Sequence, residues 1–108
     1  MSRTALISHD ACLGHETPPG HPERVARLEH VLAALEPLDL VRVKAPLAAE
    51  DDILRVHPAS YLDGLRQALP SEGFHAIDAD THLSPGSLDA AFRGAGAVVR
   101  AVDMVLGG

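Results

Sequence analysis

The 108-residue sequence has no tryptophan, and its only aromatic residues are Tyr61, Phe74 and Phe92. Large rings therefore cannot dominate the interior, and a core has to come from Leu, Val and Ala. Hydrophobic residues still make up 46% of the chain and charged residues 22%, a balance that argues against disorder. Basic residues are few: nine Lys and Arg stand scattered against fifteen Asp and Glu, for a net charge of −6. That argues against nucleic acid as a partner, because the electrostatic footprint of such a protein is a basic patch or stripe. The single cysteine, Cys12, has no internal disulfide partner, which fits a reducing compartment. No apolar run approaches the roughly 20 residues that span a bilayer. The N-terminal stretch offers only Arg3 as a basic residue and lacks the apolar core of a signal peptide. The expectation is a cytoplasmic chain with no membrane partner. A domain this small buries a modest fraction of its surface and is marginally stable alone.

What the sequence does contain is an alternation of α and β signals. Thr4–Ser8 is short, apolar and β-prone, and predicts a buried strand. Residues 9–20 hold Gly14, Pro18, Pro19 and Gly20, which is loop chemistry. Pro22 suits the first turn of a helix, along which Val25, Leu28, Val31, Leu32 and Leu35 form one stripe until Pro37 ends it. Leu40–Val43 alternates and reads as a second strand. Ala48–Arg55 predicts a short helix with Glu50, Asp51 and Asp52 near its positive end. Pro58 opens another, with Tyr61, Leu62, Leu65 and Leu69 on one face. A polar loop from Pro70 to Pro85 follows, a length often associated with function. Ser84 or Ser87 is placed to cap the last helix, Ser87–Leu106, whose apolar face runs from Leu88 and Phe92 to Val102 and Val105. Gly94 and Gly96 weaken it by about 1 kcal/mol each relative to Ala, and suggest close packing against a neighbour.

The fold class read from this order is α/β: the first strands and helices of a central parallel sheet with flanking helices. Parallel sheets are covered on both faces, and two βα-like units cannot do that. Together with the apolar last helix ending at Gly107-Gly108, this suggests a single domain that is incomplete over residues 1–108.

The densest chemistry follows the first strand. Residues 9–24 read H-D-A-C-L-G-H-E-T-P-P-G-H-P-E-R, with three His, one Asp, two Glu and one Cys. Three readings are open. The cluster can bind a transition metal through imidazole, carboxylate and thiolate. It can bring acid–base groups to a cleft at the carboxyl end of a parallel strand, where α/β proteins usually hold ligands. Or its side chains can satisfy backbone groups: His15 pinning the loop, His21 capping a helix entry, His9 and Asp10 bonding at the strand end. The spacing fits no zinc finger, and no HExxH helix is present. Cys12 has no basic partner near it in sequence, so nothing marks it as an activated nucleophile.

The order of these residues resembles the opening signature of the histone deacetylase-like amidohydrolases, a family that includes acetoin-utilisation proteins and acetylpolyamine amidohydrolases. His9, Asp10, Leu13, His15, Pro19, His21, Pro22, Glu23 and Arg24 carry it. His57 to Leu62 is similar to the family's H-x-x-x-Y-[LV] segment. Asp78-Ala79-Asp80-Thr81 with Ser84-Pro85, followed by the Ala/Gly-rich stretch from Ala90 to Gly96, is similar to its D-T-x-x-S-P segment and next helix.

That resemblance implies a partial arginase/deacetylase-type fold, and for the complete enzyme a zinc-dependent hydrolysis of acetyl amides on lysine or polyamines. It also implies that the metal ligands, the His pair and the catalytic Tyr lie in later sequence, so no catalytic residue and no bound zinc are expected in this chain. Four positions map onto the family's channel and pocket: His21 and Pro22 in the wall, Arg24 as the arginine at the gate of the inner cavity, and Asp80, with Asp78 competing, as the rim carboxylate. Asp80-Thr81-His82 has the Asp-x-His form of a zinc site but stands in a polar loop, where the rim segment falls. The expected partners are an acetyl-lysine or small-molecule substrate in the complete enzyme, and docking to the remaining C-terminal part of the domain. The alternative is a small non-catalytic α/β module with a binding or structural role, inactive alone.

Overall fold

The computed structural model describes residues 3–107. Gly108, half of the Gly-Gly pair at the end of the last helix, lies outside them. The chain opens with β1 (Ala5–Ser8), a 3-10 turn at Asp10–Gly14, α1 (Val25–Leu35) and β2 (Val41–Lys44). It continues through α2 (Glu50–Leu54), α3 (Ala59–Ala68), the short strands β3 (His75–Ala76) and β4 (His82–Leu83), and α4 (Ser87–Leu106). The fold is mixed α/β, with a small parallel sheet and flanking helices.

β1 and β2 pair in parallel, Ala5 opposite Val41 and Ser8 opposite Lys44. Backbone bonds extend the ladder at both ends, from Val41 N–H to Thr4 C=O at 2.9 Å and from Ala45 N–H to Ser8 C=O at 2.8 Å. A parallel pair needs a crossover, and α1 supplies it. The end of α1 is tied to the strand that follows: Arg42 Nη2 donates to the carbonyls of Leu35, Glu36 and Leu38, each at 3.1 Å. These carbonyls have no partner within the helix, and a cation there also opposes the negative end of the helix dipole.

α4 organises the rest. Its glycines have unlike roles. At Gly96, which is buried, a Cβ would run into the Pro46 carbonyl and come within 2.8 Å of Ala48 N, so the segment after β2 lies flat against the helix. Ala48 N–H donates to Phe92 C=O there at 3.0 Å. A Cβ at Gly94 would meet nothing within 4 Å among the described residues beyond its own stretch of helix. At the other end Gly86 abuts Gly14, where an added Cβ would sit 2.5 Å from the Gly14 carbonyl oxygen. The first loop and the start of α4 thus touch backbone to backbone.

Four expectations change. The first strand, expected to be buried, has Ala5 exposed and Leu6 to Ser8 only half-buried. The helix expected to include Pro22 starts at Val25, with Arg24 extended at its N-cap. The Pro70–Pro85 loop contains the β3–β4 antiparallel hairpin, with His75 opposite Leu83. Neither Ser84 nor Ser87 caps α4: Gly86 holds the N-cap position, and no side chain caps the helix there.

Among the described residues the buried apolar set is small: Ala45, Ala48, Leu62 and Leu83. The C-terminal half of α4 exposes Val98 (65%), Val102 (50%) and Val105 (82%). Among the described residues no helix is long and apolar enough to cross a membrane.

Candidate functional site

The first loop leaves the carboxyl end of β1 and is held by its own histidines before it reaches α1. His9 is the N-cap of the 3-10 turn, its Nδ1 accepting from Ala11 N–H at 3.0 Å. His15 Nδ1 lies 2.7 Å from Ser87 Oγ. Thr17 Oγ1 donates to the Glu23 carbonyl, and His21 Nδ1 accepts from Glu23 N–H at 3.1 Å. The backbone-satisfying reading of the cluster is the one the geometry matches for His9 and His21, whereas His15 bonds a side-chain hydroxyl and ties the loop to α4.

Beneath the loop lies a buried polar network around Ser84, which is fully buried, and Ser87, which is 6% exposed. Glu16 N–H donates to Ser84 Oγ at 2.9 Å. The Ser84 hydroxyl donates to Gly14 C=O at 3.1 Å. Ser84 N–H donates to Ser87 Oγ at 2.7 Å, leaving the Ser87 hydroxyl hydrogen for His15 Nδ1. Each hydroxyl donates once and accepts at least once, so this set of bonds is internally consistent. A Ser–His pair at this distance has the form of a nucleophile and its base. Here the serine is buried and its oxygen already receives an amide hydrogen, so the pair acts as a tie between loop and helix.

The hairpin turn is brought against the same loop. His21 Nε2 lies 2.9 Å from the Asp80 carbonyl, and the His21 and His82 rings meet edge to face, 5.4 Å apart at 85°. Asp78 Oδ1 accepts from Asp80 N–H at 2.9 Å. That bond, then one from the Thr81 side chain, and the nearby His82 hold the Asp78 carboxyl below the ordinary aspartate value, only partly offset by desolvation. His82 Nδ1 is buried and has no hydrogen-bond partner among the described residues.

Of the four residues mapped from sequence, His21 and Asp80 are therefore joined. Pro22 and Arg24 are exposed beside them. Arg24 makes no side-chain hydrogen bond or ion pair among the described residues. A cavity of about 410 Å³ opens between the first loop, α1, α3, the hairpin and α4, and Cys12, His15, Arg27, Tyr61 and His82 contribute to its wall. The arginine that reaches it is Arg27, one turn into α1, where it also pairs with Glu23 at 3.7 Å; Arg24 is not among the lining residues. Sequence reasoning missed Arg27. The signal lay in the helical stripe, since Arg27 precedes Leu28, which lines the cavity too. Cys12 Sγ sits 4.0 Å from Ala90 C=O, a weak contact of a half-buried thiol.

The histone deacetylase domain family matches residues 21–108. The chain belongs to the histone deacetylase family. A probable deacetylase from Archaeoglobus fulgidus is 33% identical over 109 residues, covering 95% of this chain and 30% of the relative. A histone deacetylase-like amidohydrolase from Pseudomonas aeruginosa is 37% identical over 127 residues, covering 98% of this chain and 33% of the relative. An uncharacterised protein from Synechocystis is 37% identical over 109 residues, at 94% and 36% coverage. The chain spans about a third of the length of the curated relatives it matches.

The family implies zinc in full enzymes, so the donor set here can be tested for fit. Zinc needs three or four convergent ligands, usually imidazole, thiolate or carboxylate. In this part of the deacetylase domain, His9 and His15 each have a ring nitrogen engaged and His21 has both. No three His, Cys, Asp or Glu side chains converge among the described residues. The residues present do not fit a zinc centre.

Proposed function

We propose that this chain forms the wall and rim of a deacetylase that hydrolyses acetyl amides of the lysine or polyamine type, with a zinc centre held by residues outside these 108. The observation that carries the reading is the meeting of two separate segments, His21 of the first loop and Asp80 of the hairpin turn, beside a cavity in a chain of this family. In this reading Pro22 and His21 belong to the channel wall and Asp80 is the rim carboxylate that accepts hydrogen bonds from substrate amides. The arginine that gates the inner cavity is Arg24 by sequence order, while lining of the cavity supports Arg27. The remainder of the domain packs on the exposed apolar stripe of α4, Val98, Val102 and Val105. An intracellular, cytoplasmic setting is part of the proposal, supported by the lone half-buried thiol.

The chain's own contribution to the reaction is shape and orientation: a walled entrance and a carboxylate to align an acetylated side chain. Such positioning lowers the barrier by removing the entropy of alignment from the chemical step. Two measurements test the proposal. The chain alone, with added zinc, is expected to be silent on a fluorogenic acetyl-lysine peptide and to bind zinc weakly by calorimetry. Mixed with the C-terminal two thirds of the Pseudomonas relative, it is expected to yield turnover that a chelator abolishes. Chelator-sensitive turnover by the chain alone, or one tight zinc site on it, would overturn the division of labour proposed here.

A further inference from the structure

We infer that His21 is a positioning residue: its imidazole holds the Asp80 peptide from the carbonyl side while Asp78 holds it from the amide side, and together they leave the Asp80 carboxylate as the one presented by the turn. The inference rests on the rim role proposed for Asp80 and specifies how that role is built.

The geometry fixes a hydrogen on Nε2. A carbonyl oxygen can only accept, so Nε2, 2.9 Å from Asp80 C=O, must carry a hydrogen. Nδ1 faces both backbone groups of Glu23: it accepts from Glu23 N–H at 3.1 Å in the neutral ring, and Glu23 C=O at 3.2 Å would accept from it in the cation. Both nitrogens then serve backbone groups, and no ring nitrogen remains for a substrate or a metal. On the other side of the same residue, Asp80 N–H donates to Asp78 Oδ1 at 2.9 Å. Thr81 also bonds the Asp78 carboxylate, so Asp78 is committed to the turn. The turn closes with Ile77 N–H donating to Thr81 C=O at 2.8 Å. Every residue from Ser71 to Thr81 is exposed, so apolar packing does not hold this turn in place. A side-chain clamp from 59 residues away in sequence joins its tip to the first loop. By sequence Asp80 was the rim candidate with Asp78 competing; the two clamps set the two carboxylates apart.

The test uses the 108-residue chain and needs no turnover. A long-range ¹⁵N–¹H spectrum of the histidine rings at neutral pH is expected to show His21 with its hydrogen on Nε2. Amide exchange is then followed at Ile77 and Asp80 in the wild type, in His21→Ala and in His21→Gln, whose terminal amide can reach the Asp80 carbonyl as Nε2 does. Exchange at both amides should rise about tenfold in His21→Ala, the loss of roughly one hydrogen bond. It should stay near wild type in His21→Gln, and the amides of residues 96–99 in α4 should be unaffected in both variants. If His21→Ala unfolds the chain, the tautomer and the Gln variant still decide. An Nδ1–H tautomer with a bare Nε2, or unchanged exchange at Ile77 and Asp80 in a folded His21→Ala, would overturn the inference. Failure of the deacetylase reading itself would show instead as absent turnover in the reconstituted enzyme, with these arms intact.

Discussion

Ser84 illustrates how much a single side chain can govern in a molecule with so small a core. Its hydroxyl accepts from Glu16 N–H and donates to Gly14 C=O, in a site with no solvent exposure. Ser84→Ala leaves an amide and a carbonyl unsatisfied in a buried place, which costs about 1–3 kcal/mol. Urea unfolding should report a loss of that size, and an unchanged midpoint would mean that the loop is held elsewhere. Asp78 makes a different prediction, in pH. Its folded carboxyl is held below the ordinary value, so the folded state favours the charged form. The contribution is fully present above the ordinary aspartate range and is lost as pH falls through the lowered folded value. A ¹³C carboxyl titration should place the Asp78 midpoint below the ordinary aspartate value, and Asp78→Asn should abolish the acid-dependent loosening of the Ile77 amide. Some of this was legible in the sequence. The loop histidines read as candidates for backbone satisfaction, and His9 and His21 have that role, while His15 pins the loop through the Ser87 hydroxyl. The serine network was not legible, because its partners are separated by 68 to 72 residues and no local pattern encodes such a pairing.

The helices divide in the same way. α4 was readable over its full span, Ser87–Leu106, because a long stripe of apolar residues at helical spacing has no competing period. Its two inner glycines look alike in sequence and differ in the fold. Gly96→Ala forces a methyl group into the Pro46–Ala48 backbone, and overpacking against backbone costs about 1–3 kcal/mol. Gly94→Ala meets nothing, so helix propensity alone acts and the variant gains up to about 1 kcal/mol. Paired thermal unfolding of the two variants should move in opposite directions; movement in the same direction would mean that α4 does not lie on that segment. The start of α1 shows the limit of local rules. Pro22 suits a first helical turn, yet the helix waits until Val25, because His21 and Glu23 are already committed to the loop's own bonds.

At the scale of the molecule the small core and the bare half of α4 belong together. Among the described residues the buried apolar set is two alanines and two leucines. The valines of α4 at positions 98, 102 and 105 stay in water, an arrangement more typical of an interaction face than of a finished surface. The chain alone should bind a hydrophobic dye, and Val98→Lys with Val102→Lys should reduce that binding and improve solubility without lowering helix content by circular dichroism. Dye binding indifferent to both substitutions would locate the apolar surface elsewhere.

What the sequence determined by itself is what local periodicity and motif order can carry: an α/β alternation, the extent of α4, a deacetylase lineage later matched over residues 21–108, and a loop of histidines in the right place. What only the tertiary structure decided is which groups meet. Whether His21 touches Asp80, whether Arg24 or Arg27 reaches the cavity, and whether Gly94 or Gly96 bears a neighbour depend on contacts between segments far apart along the chain. Those contacts are set by packing and by the need of each buried polar group for a partner, and neither requirement leaves a mark at a fixed spacing in the sequence.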